Sequence, residues 1–216
     1  MLGIHDLAIF MLSGLILNMT PGPDSLLIVS HTAAGRWQQG AVTALGISTG
    51  TLVHVLAAAL GLSAILATSA MAFTVVKWAG AIYLIWLGLS VLLKCRHSSP
   101  QAPAPRFSET RLRTLFRQGF LTNVLNPKVA LFFMAFMPQF IDPASTLKPL
   151  AFLTLGLIFD AVATLWSAVL ITVVTLGGQR LRPGVKLKAW LERSVGVMFV
   201  ALGVRLALTR TPAGGG

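Results

Sequence analysis

The stretch Thr20-Pro21-Gly22-Pro23-Asp24 decides the fold, because it interrupts an apolar segment that otherwise runs from about residue 7 to residue 33. Proline removes a backbone donor and disfavours helix for the residue before it, so two prolines around a glycine should open a helix at this point. Inside a bilayer the freed N–H and C=O groups must be buried in protein or line a wet cavity. The stretch therefore predicts a broken membrane-spanning helix.

Composition supports lipid as the surrounding solvent. The chain has 216 residues, of which 55% are hydrophobic and 11% are charged, and its mean hydropathy is +0.80. A soluble domain carries about 25% charged residues. The apolar segments are long and continuous, which favours helices over barrel strands of about ten alternating residues. The sequence predicts an all-α membrane protein with six transmembrane helices, near residues 7–33, 40–66, 75–93, 119–141, 149–176 and 195–208.

A second break and a shared motif indicate an internal repeat. Asn126-Pro127 interrupts the fourth segment as the first stretch interrupts segment one, and Gly14 and Asn18 have the same spacing as Gly119 and Asn123. Each half has three spans, an odd number, so the second half would be inverted relative to the first. The expected organisation is a first three-helix repeat (1–94), a basic cytoplasmic linker (95–117), a second three-helix repeat (118–210) and a flexible tail (211–216).

The basic residues predict the orientation. Twelve of the 17 lysines and arginines fall in three loops on one side of the six segments. The positive-inside rule places those loops in the cytoplasm and both termini outside. The net charge of +11 does not indicate nucleic acid, because the basic loops lack interleaved aromatic or recognition elements. Contact with anionic lipid is a plausible additional role for them.

Three charged residues, Asp24, Lys128 and Asp160, lie within apolar segments. A charge at the bilayer centre costs at least about 2.5–3.5 kcal/mol, which makes each one a functional candidate. We expect Asp24 to bind a substrate ammonium group or a proton, and Asp160 is the second candidate for proton coupling. Asp24 and Lys128 could pair across the pseudo-twofold axis. The alternative is a buried pair that only fixes helix packing.

Polar residues beside the two breaks complete the candidate site. The half-helix that starts after Pro23 points its positive end into the opened region, which favours a carboxylate. Asn18 and Asn123 could bind substrate or satisfy the broken backbone, and His54 is interpreted as a packed polar histidine rather than a titrating one. The predicted substrate- and proton-binding residues are Thr20, Pro21, Gly22, Pro23, Asp24, Asn123, Asn126, Pro127, Lys128 and Asp160.

Several chemistries find little support in the sequence. The histidines are scattered and Cys95 is alone, so no metal cluster is evident, and no phosphate loop or other cofactor motif is present. An intramembrane enzyme that uses Ser25 with His54 is disfavoured, since no serine lies in a nucleophile-type motif. In segment two, small residues such as Gly46, Gly50 and Gly61 are expected to let helix backbones approach closely.

The chain resembles the LysE/RhtB family of bacterial amino-acid exporters. The resemblance rests on Thr20-Pro21-Gly22-Pro23-Asp24, on Gly119-Phe120-Leu121-Thr122-Asn123-Val124-Leu125-Asn126-Pro127-Lys128, on Gly80-Ala81-Ile82-Tyr83-Leu84-Ile85-Trp86-Leu87-Gly88 and on Asp160. It implies an inner-membrane exporter of amino acids such as homoserine, threonine, leucine or lysine, driven by proton antiport. It also implies six helices with the N-terminus outside.

Alternatives to amino-acid export remain open at this level. One is an exporter of another small solute or ion in the same superfamily, and another is a non-transporting membrane assembly factor. Superfamily members that move electrons use paired membrane cysteines, which the single cysteine of this chain excludes. The expected partners are a small-molecule substrate and the lipid bilayer, and a homo-oligomer is compatible with the sequence.

Overall fold

A computed structural model of the chain describes residues 2–34, 36–62 and 111–177, and separate positions between 74 and 93 and between 197 and 208, each of them helical. Six α-helices have defined bounds in the described ranges, and these ranges contain no strand beyond an isolated bridge between Ile4 and Ile141. The helices are α1 (Leu7–Met19), α2 (Pro23–Ala34), α3 (Trp37–Ala57), α4 (Leu112–Val124), α5 (Pro127–Leu131) and α6 (Lys148–Gly177).

Two of these helices have the length and composition of membrane spans. They are α6 and the unit Trp37–Leu62, in which α3 continues through a π-helical turn at Ala58–Leu62. A third span arises if α4 and the segment Pro127–Phe140, which meet at an angle of 43°, are taken together. Large apolar side chains on the outside of the bundle, such as the 83% exposed Leu176, are suited to face lipid. The prediction of an all-α membrane protein is confirmed, while six spans and the inverted repeat remain predictions.

Both predicted helix breaks are present. The first separates the end of α1 at Met19 from the start of α2 at Pro23, and the second separates α4 from α5. In both cases a proline occupies the first position of the new helix, where its missing N–H costs no hydrogen bond. At the second break the side chain of Asn126 caps α5 by accepting from the backbone N of Lys128 at 3.0 Å.

Helix α4 begins at Leu112, ahead of the start expected near residue 119. The residues between 112 and 119 include no proline that would end a helix. Leu115 is buried, whereas Arg113 and Arg117 are exposed, so this part of the helix is amphipathic. The end of the predicted linker is therefore helical. Residues 95–110 of that linker, Tyr83 and the tail 211–216 lie outside the described residues.

Glycines bring α3 and α4 into backbone contact. A Cβ on Gly119 would collide with the carbonyl oxygen of Thr43, and a Cβ on Gly46 would collide with that of Phe116. This confirms the close approach expected at Gly46. At Gly61 an added Cβ would meet no described atom within 4 Å, and the close approach expected there stays a prediction. Gly61 lies in the π-helical turn after α3, beyond the region that faces α4.

A cluster of phenylalanines packs on one side of the breaks. Phe10 of α1, Phe132 and Phe136 of the π-helical turn after α5, and Phe159 of α6 are each at most 2% exposed. Their rings meet at centroid distances such as 5.8 Å for Phe10 and Phe132 and 4.8 Å for Phe132 and Phe159. This aromatic core fixes α1, α5 and α6 relative to one another and so positions both breaks.

Candidate functional site

Asp24 joins the two helix breaks. It occupies the second position of α2, and its Oδ2 accepts from the side-chain amides of Asn123 at 2.9 Å and Asn126 at 3.0 Å. These two asparagines, at the end of α4 and the cap of α5, are 1% and 2% exposed. The other carboxylate oxygen, Oδ1, is buried and has no hydrogen-bond partner among the residues that the structure describes. One side of the carboxylate is therefore held firmly, and the other can accept a donor from a bound molecule.

Lys128 reaches the opposite way, from the second position of α5 to the end of α1. Its Nζ donates to the carbonyl oxygens of Leu17 at 2.9 Å and Thr20 at 3.2 Å. No ion pair within 4.0 Å joins Lys128 to Asp24, so the hypothesis of a direct pair is wrong. The freed carbonyls at the end of α1 hold the ammonium instead, although the two charges still attract each other through space.

The rest of the first stretch surrounds this lysine. Gly22 lies against it, since a Cβ on Gly22 would be 3.1 Å from Lys128 Nζ. Thr20 is buried and its hydroxyl donates to the carbonyl of Ile16 at 2.9 Å. Pro21 and Pro23 are exposed on either side of Gly22. The breaks thus bring together most of the predicted residues: Thr20, Pro21, Gly22, Pro23, Asp24, Asn123, Asn126, Pro127 and Lys128.

Asp160 forms a separate polar contact. Its Oδ2 accepts from the hydroxyl of Ser48 at 2.8 Å and so links α6 to α3, while its Oδ1 is buried without a partner in the described part of the chain. No hydrogen bond connects Asp160 to the residues of the two breaks described above. The sequence did not single out Ser48, because a lone serine in a segment rich in small residues carries no signal of its partner.

Helix α3 contacts both the side chain and the backbone oxygen of Asn123. The hydroxyl of Thr51 lies 3.3 Å from the side-chain Oδ1 of Asn123, and His54 Nε2 lies 3.1 Å from its backbone oxygen. Gly50 lets the helix come this close, since a Cβ there would be 2.9 Å from Asn123 Cβ. Sequence reasoning missed Thr51 and treated His54 as packing, although their spacing of three residues places both on one helix face.

Comparison with known proteins identifies the family. The model of the LysE-type translocators matches residues 15–210. The chain belongs to this family. It is 33% identical over 218 residues to the uncharacterized membrane protein PA4757 of Pseudomonas aeruginosa, covering 95% of this chain and 96% of that protein. No solved structure matches the chain.

Two further relatives cover almost the whole translocator. An uncharacterized membrane protein of Vibrio cholerae is 29% identical over 209 residues, with 96% of this chain and 98% of the relative aligned. The uncharacterized membrane protein YrhP of Bacillus subtilis is 29% identical over 212 residues, with 95% of this chain and 100% of the relative aligned. The family assignment makes the chain a membrane transporter that works on a small-molecule substrate within a lipid bilayer.

The arrangement of the translocator does not form a serine–histidine pair. The hydroxyl of Ser25 donates to the carbonyl of Asn18 at 3.4 Å, and His54 bonds Asn123 instead. Asn18 itself donates to the carbonyl of Gly14 within its own helix at 2.8 Å. Among the described residues, no three histidine, cysteine, aspartate or glutamate side chains are grouped so as to hold a metal ion.

Proposed function

We propose that this translocator is a secondary active exporter of amino acids across the bacterial inner membrane, coupled to proton antiport. One observation carries the proposal. At the meeting point of two opened helices, Asp24 has one oxygen fixed by two amides, and its other oxygen is buried with no partner among the described residues. A lysine ammonium lies nearby on the other break.

The two charges suit a zwitterionic substrate. The ammonium group of an amino acid would donate to Asp24 Oδ1, which has the charge and the unused lone pairs for it. Its carboxylate would be attracted by Lys128 Nζ and by the positive end of α2. Lys128 uses two carbonyl acceptors, so its ammonium retains a third N–H for the substrate.

Proton coupling follows from competition for the same carboxylate. When the substrate leaves, the buried Oδ1 of Asp24 loses its donor, so the carboxylate gains from taking up a proton in a medium of low dielectric. Proton and substrate then exclude each other, as antiport requires. Asp160, whose Oδ1 is equally without a partner, is the second candidate for a coupled proton.

Crosswise contacts support two inverted repeats. Gly14 packs against Phe159 of α6, whereas Gly119 packs against α3, so each glycine faces the second helix of the other half. Asp24 and Lys128 likewise reach the break of the opposite half. We propose alternating access by movement of these helices around the site, with the basic loops cytoplasmic and both termini outside.

The first test is transport by purified protein in proteoliposomes, using labelled leucine, threonine, homoserine and lysine with and without an imposed pH gradient. We expect at least one amino acid to accumulate only with the gradient. Asp24→Asn should reduce this uptake at least about 100-fold, because losing one partner of a desolvated charged contact costs about 2–5 kcal/mol.

Asp142→Asn is the matched control. Asp142 is exposed and accepts from the backbone N of Ala144 at 2.8 Å, a bond that asparagine can also make. The variant should transport as the wild type does. Uptake that ignores the gradient would contradict antiport, and absence of uptake for every amino acid would contradict the substrate class and favour another solute or a non-transporting role.

A further inference from the structure

Each helix break leaves a backbone carbonyl without its helical donor, and at the first break a side chain with a titratable group binds the oxygen of Leu17. Pro21 has no N–H, so the oxygen of Leu17 lacks the donor that would come from four residues on. It accepts instead from the backbone N of Thr20 at 3.2 Å and from Lys128 Nζ at 2.9 Å.

The second break repeats this arrangement with a histidine. Pro127 has no N–H, so the oxygen of Asn123 also lacks its donor from four residues on. It accepts from the backbone N of Asn126 at 2.9 Å and lies 3.1 Å from His54 Nε2. At the second break His54 therefore contacts the freed carbonyl oxygen, as Lys128 does at the first break.

The carbonyl fixes the state of the ring. A carbonyl oxygen only accepts, so His54 Nε2 must carry a hydrogen, and Nδ1 is the atom that gains or loses a proton. The ring of Phe133 lies beside it, with a distance of 6.0 Å between ring centroids and an angle of 34° between the ring planes. Asn123, whose backbone the ring holds, also donates from its side chain to Asp24.

The charged groups around His54 come from three described helices. Asp24 of α2 interacts with the ring through space, and Lys128 of α5 interacts with Asp24 in turn. Asp160 of α6 bonds Ser48, a residue of the same helix as His54. Helix α1 carries no charged residue, and the charged residues of α4, Arg113 and Arg117, are exposed near its start. Asp24 is therefore the charge that responds most directly to protonation of the ring.

We propose that His54 is a second proton-binding group of the transport site, which positions Asn123 and, when its imidazole is protonated, weakens binding of a substrate ammonium at Asp24. This rests on the proposed function. A neutral ring holds Asn123 and leaves the negative charge of Asp24 available. A protonated ring holds Asn123 equally well and places a positive charge beside Asp24, which opposes a second cation there.

The binding test uses His54→Gln, because glutamine keeps an N–H donor but does not titrate. Affinities of L-leucine, L-threonine and L-lysine are measured on protein in nanodiscs between pH 8 and pH 5.5. Wild-type affinity should fall about tenfold as pH falls, within the range of about 5–150-fold typical of coupling between two ligands. In His54→Gln the affinity should lose most of this fall between pH 8 and pH 5.5.

His5→Gln is the control, since His5 is exposed and bonds only Asp6 among side chains of the described residues. It should keep the wild-type dependence on pH. His54→Ala, which removes the donor as well, should weaken binding at every pH. If His54→Gln retains the full fall in affinity, the ring is not a proton site and the proposal is overturned.

A measurement without substrate separates this proposal from the proposed function. Imidazole NMR signals of ¹⁵N-labelled histidine are assigned to His54 by their loss in His54→Gln, and protonation of the ring should shift them as the pH is lowered. Their midpoint should move by at least about 0.5 pH in Asp24→Asn, as expected for neighbouring charges. Signals that do not titrate, or a midpoint that ignores Asp24→Asn, overturn the proposal. If the midpoint moves but no amino acid binds the wild type, the coupling of His54 to Asp24 is upheld and the amino-acid assignment fails.

Discussion

The two helix breaks solve the same backbone problem with different means. The first uses Pro21, Gly22 and Pro23, and the second uses a single Pro127 preceded by the cap of Asn126. The charged residue after the first break is an acid held by amides, whereas the one after the second is a base held by carbonyls. More than one residue therefore keeps the helix open at the first break, whereas a single proline does so at the second.

The largest effect should come from removing the base. Lys128→Met leaves the carbonyls of Leu17 and Thr20 without their donor and Asp24 without a nearby positive charge. We expect transport to fall at least about 100-fold, because truncating one member of a buried charged contact costs about 2–5 kcal/mol. Lys128→Arg keeps the charge and should retain part of the activity. Equal loss in both variants would show that shape rather than charge matters here, and rates in proteoliposomes decide between them.

An intermediate effect should distinguish the prolines. Pro127→Ala supplies an N–H that can donate to the oxygen of Asn123 and draw α4 and α5 into one helix. Transport should drop about tenfold, since closing a hydrogen bond contributes about 0.5–1.5 kcal/mol to the closed form. Pro21→Ala leaves Gly22 and Pro23 in place and should cost less than about threefold. The same loss in both variants would contradict the redundancy of the first break.

The smallest effect should come from the glycine between the first two prolines. A Cβ on Gly22 would lie 3.1 Å from Lys128 Nζ, the flexible end of a long side chain, so the lysine can shift by a few tenths of an ångström. Gly22→Ala should lower transport by less than about twofold, equivalent to roughly 0.4 kcal/mol. Gly61→Ala is the control, because a Cβ there meets no described atom within 4 Å, and it should leave the rate unchanged. A loss greater than that of Pro127→Ala would mean that the lysine cannot move.

Backbone chemistry and the cost of buried charge made much of this predictable. Proline removes a hydrogen bond to a carbonyl only four residues before it, so Pro23 and Pro127 indicate the helix ends without knowledge of the fold. Asp24 and Lys128 could be identified as candidates because a charged side chain in an apolar membrane segment is energetically costly. The LysE-type family assignment agrees with the resemblance seen in those same motifs.

Contacts between distant parts of the chain were the part that sequence could not give. Opposite charges at similar offsets suggested a pair, yet the structure satisfies Lys128 with carbonyls and Asp24 with amides. A hydroxyl such as Ser48 or Thr51 bonds its own helix or a neighbour with equal ease, and only packing decides which. The role of His54 depends on the oxygen that Pro127 frees, a relation between residues 54 and 123 that no local pattern encodes.

The close approach of Gly46 to α4 and of Gly119 to α3 has a mechanical consequence. Because the backbones of α3 and α4 are in contact there, we expect these two helices to move as one rigid unit, although α3 belongs to the first half of the sequence and α4 to the second. A motion that opens the site therefore cannot simply move the two halves of the sequence apart as rigid bodies. The compliant joint would be the 43° turn between α4 and α5, so the chain would flex within its second half rather than at its midpoint.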